Sequence, residues 1–521
     1  MRPPGAIFAL ALVIGAGAAG AAILLRFMII GVTEVFSGHG DPSALGHVTN
    51  PLVPQLGMWW IVLAPVAGAL IDGPLVHRFA PETRGLGIPE VMYAVNELGG
   101  RMRPQVPIVK AVASALCIGS GGSLGREGPS VQIGSAIASV IGQAAHVPAV
   151  QLRLLVACGA AAANAATFNA PIAGVFFALE LVMRDFSGKT LGPVVIAAVS
   201  GDALSRAVFG PEPFLNVTAV QFGSTPELLI YAGLGLFAAI VGVGFIRVLY
   251  GMQDVADRLW RWPEWGRPIA GSVLLGLALA AVPEMYGSGY AVLDGVIDGR
   301  YVVTAVIGLL AAKIVFASLT LAIGGSGGIF TPSLFMGAML GSAYGAGAHA
   351  LLPGVAASPE VYALVGMGAV FAAAARAPFT AGAMVFELTG EPALLLPLMV
   401  AVGIATALAN LATRDTVYTM KLTRRGVNID VPRSQSMMHL TVGEAMHAPR
   451  EDGTGQPAPA GPMLRVDDSL DDAVRALARS NGEALPVTGA DGGAVVGWLS
   501  HRDVLRVYHL HERPPMRDPH M

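Results

Sequence analysis

Glu127 stands in the pentapeptide Gly125-Arg126-Glu127-Gly128-Pro129, within a long apolar stretch. A carboxylate in hydrocarbon is costly and by default functional. Its setting is written twice. Residues 121–130 read GGSLGREGPS and residues 324–333 read GGSGGIFTPS. At a constant offset of 203, Gly121, Gly122, Ser123, Gly125, Pro129 and Ser130 each meet the same residue type. The register extends to Lys110 with Lys313, and to Gly134, Ala138 and Gly142 with Gly337, Gly341 and Gly345. A helix that starts inside a membrane leaves backbone N–H groups unpaired, which is costly unless they face a protein-lined cavity or a ligand. Glycine lets the backbone approach that ligand, and the helix dipole adds partial positive charge. Such starts attract anions, whereas exposed carbonyls would favour cations. Pro129 and Pro332 suit a first helical turn, so the phrases predict two helix starts facing one desolvated anion. Matching breaks in two apolar halves point to a transport site.

The elements that hold these breaks must be membrane helices. The chain has 521 residues, 54% hydrophobic and 13% charged, against roughly 25% charged in soluble domains. Gly5–Leu25, Leu228–Ile246 and Pro392–Thr413 carry no charge, and each can cross about 30 Å of hydrocarbon as a helix. These runs are too long for barrel strands. Arg2 before an Ala/Gly-rich run imitates a signal peptide, but the run's length and the apolar stretch after Arg26 predict an uncleaved first helix. The repeat continues: Ala170-Pro171 precedes Glu180, and Ala377-Pro378 precedes Glu387 at the same spacing. These acids are expected to cap helix ends or bond to neighbouring loops, with a proton-relay role for Glu180 as the alternative. Lys110 and Lys313 are expected to snorkel to an interface or to add positive potential near the anion. The glycine ladder predicts close helix packing. Cys117 and Cys158 read as buried structural thiols. The eleven histidines form no ligand cluster, and there is neither a Walker A sequence nor a nucleophile elbow. An enzyme therefore has little support, and the net charge of −3 points to no partner.

After about Leu422 the composition changes. Lys421, Arg424, Arg425 and Arg433 follow the last apolar segment, which predicts a cytoplasmic C-terminus. Residues 448–462 are a Pro/Gly-rich linker. Ser469–Ser480 reads as a helix capped by Asp468 or Ser469. Ala484–Val487 and Ala494–Leu499 read as strands around an Ala-Asp-Gly-Gly turn, and Ser500–Tyr508 reads as a second helix. This order, ending in GWLSHRDVL, resembles a single CBS motif at about 463–510. The resemblance implies that Ser500 and Asp503 hold the ribose of an adenine nucleotide. A simpler reading has Ser500 capping the helix with Asp503 in its first turn. CBS motifs work in pairs, which suggests pairing across a dimer.

GREGP at 125–129, GIFTP at 328–332, GLGIPE at 85–90 and Tyr418 within YTMKL resemble the anion-path signatures of the CLC chloride channel and transporter family. The resemblance covers roughly residues 5–425. It implies an all-α polytopic membrane domain over 1–425, with two inverted repeats of broken, tilted helices at about 60–205 and 265–420. A small α/β CBS-like domain then occupies 426–521. It implies a homodimer in the inner membrane with one anion pore per subunit, binding chloride and needing no cofactor. Glu127 matches the gating glutamate, flanked in its signature by Gly125, Arg126 and Gly128. Gly328, Ile329 and Phe330 match the backbone donors, Tyr418 matches the pore tyrosine, and Gly85, Leu86, Gly87, Ile88 and Pro89 match the first signature. Two departures stand out. Leu86 replaces a serine whose hydroxyl would coordinate the anion, so weakly hydrated anions gain. Leu181, directly after Glu180, replaces the internal proton glutamate, which favours a channel over a chloride/proton antiporter. A CBS-regulated cation transporter is the reading from another class, and it would need several acids or carbonyls at mid-membrane. A nucleotide sensor with the membrane part as an anchor is a third. The lipid bilayer is an expected partner and nucleic acid is not.

Overall fold

A computed structural model describes residues 3–45, 48–50, 53–213, 215, 226–427, 441–447, 463–468, 470–480, 484–489 and 495–512. Arg433, the 448–462 linker, Ser469 and the Ala490–Gly493 turn lie outside the described residues. The chain divides into two compact units, Met1–Arg425 and Gly426–Met521.

The first unit is helical, and its helices come in two matching series. The first series is α1 (Pro4–Ser37), α2 (Trp60–Phe79), α3 (Ile88–Asn96), α4 (Val106–Gly119), α5 (Glu127–Ala144), α6 (Ala149–Phe168), α7 (Pro171–Phe177, continued by a π-turn Ala178–Met183) and α8 (Gly188–Phe209). The second is α9 (Glu227–Leu259), α10 (Arg267–Ala281), α11 (Tyr290–Ile297), α12 (Val303–Ala322), α13 (Phe330–Leu351), α14 (Pro359–Ala375), α15 (Pro378–Thr389) and α16 (Leu395–Ala412), with α17 (Thr419–Arg424) closing the unit. Seven helices among the described residues have the length and apolarity to cross a membrane. The matching starts earlier than position 60: α1 packs on α6 and α8 as α9 packs on α14 and α16. With 34 and 33 residues, α1 and α9 each extend about 50 Å, so they must tilt to fit the hydrocarbon.

The two series are related by symmetry, and reciprocal contacts show it. Glu180 at the end of the α7 segment accepts from Phe379 N (3.2 Å) and Thr380 N (2.8 Å), the start of α15. Glu387 in α15 accepts from Ile172 N (3.0 Å) and Ala173 N (2.7 Å), the start of α7. Each half thus caps the equivalent helix of the other, which requires a local two-fold axis between them. The glycine ladder packs as expected. A Cβ on Gly134 would meet the Gly159 carbonyl of α6, and one on Gly337 would meet the Gly366–Met367 backbone of α14, so α5 and α13 lie backbone to backbone on their neighbours.

The second unit has α18 (Val442–Ala445), β1 (Leu464–Arg465), α19 (Leu470–Arg479), β2 (Leu485–Thr488), β3 (Val495–Leu499) and α20 (His501–Glu512). β1 pairs parallel with β2, and β2 antiparallel with β3. Leu470, Ala473, Leu477, Leu485, Val487 and Leu499 build its core. The Asp468 carboxylate accepts from Arg465 N at 2.7 Å and so closes the turn after β1.

Candidate functional site

The two glycine breaks meet. Gly125 N donates to Gly328 O (2.8 Å) and Gly328 N to Gly125 O (2.7 Å), a closed antiparallel pair. Gly327 N donates to Gly85 O (3.3 Å), adding the first signature loop to the crossing. α5 and α13 begin two residues beyond this pair, with Pro129 and Pro332 in their first turns, where a missing N–H costs nothing. A Cβ on Gly328 would lie 2.6 Å from Gly128 N; only glycine allows that approach. The loops before α3 and α11 repeat the logic. Gly85 and Gly87 (φ 82° and 83°) and Gly287 and Gly289 (φ 64° and 79°) take left-handed conformations that favour glycine.

Glu127 is carried by the first half and lodged on the second. Its Oε2 accepts from Thr331 N (3.5 Å) in the first turn of α13, and its Oε1 accepts from Tyr290 Oη (2.9 Å) and from the Thr331 hydroxyl. Tyr290 and Thr331 were not singled out from sequence. Thr331 directly follows Phe330, and Tyr290 ends Gly287-Ser288-Gly289-Tyr290, the counterpart of Gly85-Leu86-Gly87-Ile88 at an offset of 202. That one-residue slip from 203 hid it. Arg126 is buried; its Nη2 donates to Thr167 O (3.3 Å) and its guanidinium lies 5.4 Å from the Tyr290 ring centroid.

Tyr418 is fully buried, and its hydroxyl has no hydrogen-bond partner among the described residues. It lies within electrostatic reach of Glu127. Its segment is fixed by Val417, whose N–H reaches Ala374 O (3.0 Å) and whose carbonyl accepts from Tyr250 Oη (2.7 Å). A buried donor left unmet costs about 1–3 kcal/mol, a cost that an anion beside it removes. Ile329 and Leu86 are buried, and the Phe330 ring packs between Phe168 and Phe371, at 5.2 and 4.3 Å between centroids. Gly85, Gly125, Gly128, Gly328, Ile329 and Phe330 thus share one crossing, with Ile88 and Pro89 opening the adjoining α3.

Other residues fall elsewhere. Lys110 and Lys313 do not snorkel. Both are fully buried, Lys110 Nζ donating to Thr83 O and Gly85 O (2.8 Å each) and Lys313 Nζ to Ser123 Oγ (3.0 Å) and Ser288 O (3.2 Å). Each holds the signature loop of its own half. Glu180 is engaged with α15, and Leu181 is buried in the π-turn. In the second unit Ser500 Oγ and N donate to Asp503 Oδ2 (2.5 and 2.9 Å), and His447 Nδ1 lies 2.9 Å from the same oxygen. Burial pushes the Asp503 carboxyl up, but the Ser500 and His447 hydrogen bonds together hold it below its usual value.

Helix starts that meet at a pair of glycines, around a buried acid and an unmet tyrosine hydroxyl, define a polytopic anion-transport protein built from inverted halves. Comparison with known proteins gives the family. The model of voltage gated chloride channels matches residues 67–410, and that of the CBS domain matches residues 461–510. A putative chloride channel protein, ClcB-like, of Ralstonia nicotianae is 37% identical over 374 residues, 70% of this chain and 86% of the relative. The H(+)/Cl(-) exchange transporter ClcA of Vibrio parahaemolyticus is 33% identical over 430 residues, 80% and 92% of the two chains. A slow cyanobacterial Cl-/H+ antiporter superposes with a TM-score of 0.72 at 25% identity, over 82% of this chain and 98% of its own. A eukaryotic CLC transporter shares the fold at a TM-score of 0.67 and 21% identity, over 97% and 88%. The chain belongs to the CLC family of anion channels and transporters.

Proposed function

We propose that this protein is a homodimer in the inner membrane that conducts chloride or a similar monovalent anion through one Glu127-gated pore per subunit, in a channel-like manner. The observation that carries the gate is the carboxylate itself. Glu127 takes the N–H and hydroxyl of Thr331 at the start of α13, the place where a helix start receives an anion. A transported anion competes for the same donors, and protonation weakens the acid's hold. Past the gate, the Tyr418 hydroxyl and the N–H groups near Ile329 and Phe330 serve the central anion. Leu181 cannot carry a proton, which supports passive conduction. Arg84–Glu264, Lys421–Glu90 and Arg424–Asp254 pairs gather basic residues on the side where α17 ends, supporting a cytoplasmic C-terminus. Ser500 and Asp503 are offered to an adenine nucleotide only if it displaces their mutual bond.

Anion efflux from proteoliposomes tests the gate. Glu127→Gln should remove the pH dependence of the flux; an unchanged pH profile overturns the gate. A second reading, proton-coupled exchange by another route, is favoured by the 33%-identical exchange transporter. A chloride gradient that drives proton movement in the same vesicles would establish it. The cation-transporter reading is left without support by the family.

A further inference from the structure

We propose that the cavity in front of Glu127 is an outer binding site in which Arg26 holds an incoming monovalent anion before it reaches the gate. The cavity has a volume of about 320 Å³, and its wall includes Arg26 and Thr33 of α1, Asp41, Arg126, Ser288 and Tyr290. Tyr290 joins it to the gate: the residue lines the cavity while its hydroxyl donates to Glu127 Oε1 at 2.9 Å.

The side-chain hydroxyls around this wall are spoken for. Thr33 Oγ1 donates to Ile29 O (2.8 Å), Ser288 Oγ to Leu124 O (3.2 Å) and Tyr286 Oη to Gly119 O (2.9 Å). Asp41, the acid on the wall, accepts from Ser43 N (3.0 Å), Ser43 Oγ (2.6 Å) and Ala291 N (3.2 Å). Its carboxylate is thereby directed to Ser43 and to the first turn of α11. Arg26 makes no hydrogen bond or ion pair among the described residues. Its guanidinium stacks on Phe209, 3.9 Å from the ring centroid, which occupies the flat face and leaves the N–H edge for a ligand. An arginine within a membrane helix is expected to face a cavity and serve an ion path. At about 30 Å³ per water, the cavity admits an anion with much of its hydration, and apolar walls focus the field of a fixed cation on it. Arg26 is thus a capture residue that raises the local anion concentration, upstream of the desolvated site.

The inference rests on Glu127 being the gate, and its test uses a different readout: the chloride concentration at half-maximal flux, measured with the full-length protein in proteoliposomes. Arg26→Cys should raise that concentration about 3–10-fold, as loss of a focusing charge does, while saturating flux changes less than twofold. Treating Arg26→Cys with a trimethylammonium-ethyl thiosulfonate should bring the value back towards wild type, and the sulfonate-ethyl reagent should raise it further. Wild type, with Cys117 and Cys158 only, is treated in parallel, and Arg26→Lys should retain near-normal values. An unchanged half-saturation in Arg26→Cys, or the same response to both reagents, overturns the proposal. Should Arg26→Cys fail to fold, Ile30→Glu on the same wall takes its place. A rise in half-saturation supports the site and no change overturns it. Loss of pH gating in Glu127→Gln is scored separately, so failure of the gate and failure of the capture site remain distinguishable.

Discussion

The two glycine breaks share one backbone and part company at two residues. After Gly125 come Arg126 and Glu127; after Gly328 come Ile329 and Phe330. Glu127 reaches across to the first turn of α13, whereas the Phe330 ring turns into an aromatic cluster with Phe168 and Phe371. One helix start is therefore covered by a carboxylate from the other half. The lysines follow the opposite rule, Lys110 and Lys313 doing the same work in each half. Duplication supplies a symmetric backbone crossing; a single side chain, the proposed gate, breaks that symmetry.

The comparison can be broken hardest at the crossing. Gly328→Ala puts a Cβ 2.6 Å from Gly128 N, where neither backbone can yield. A loss of about 3 kcal/mol or more is expected from overpacking, read as loss of folded protein in detergent; a folded, active variant would refute the close approach. Thr331→Val removes a hydroxyl bound to Glu127. Weakening the carboxylate's hold by about 1–1.5 kcal/mol should raise anion flux at neutral pH several-fold, with no such gain in Glu127→Gln. Leu86→Ser restores a hydroxyl to the first signature, and chloride should gain about 3–10-fold over nitrate in competition flux, a single hydrogen bond's worth. Glu180→Gln and Glu387→Gln should cost nearly equal stability, about 1–2 kcal/mol each for charge-assisted caps, without altering anion selectivity. Unequal costs, or a change in proton movement with Glu180 alone, would mean that the caps are not equivalent.

The smallest effect separates these caps from the one at Ser500 and Asp503 in the second unit. Asp503 has a folded-state pKa held below its unfolded value. Its contribution is therefore present above the unfolded value of about 3.9 and is lost as pH falls through the folded one. Amide exchange over 495–512 should quicken below about pH 4, and Asp503→Asn should flatten that dependence.

Much of the site was legible because glycine and proline mark backbone, and backbone is what the site uses. The breaks, the helix starts at Glu127 and Phe330, and the capping roles of Glu180 and Glu387 all carry local signals. The partners of Glu127 do not. Tyr290 sits 163 residues away, and its loop matches the first signature only after a one-residue slip. α1 and α9 escaped as repeat members because a long lipid-facing helix is constrained in hydrophobicity, not in sequence. Of the two expectations for the lysines, snorkelling fails, although it is the usual fate of lysine in a membrane helix. Only the folded loops reveal the carbonyls that accept their protons.

The crossed caps have a mechanical consequence. Glu180 grips the start of α15 and Glu387 the start of α7, two staples placed symmetrically about the axis that relates the halves. Rotating one half against the other would tear both at once, stranding four backbone donors in hydrocarbon. On the proposed gate, these crossed caps favour passage by movements the size of a side chain over a rocking of the two halves.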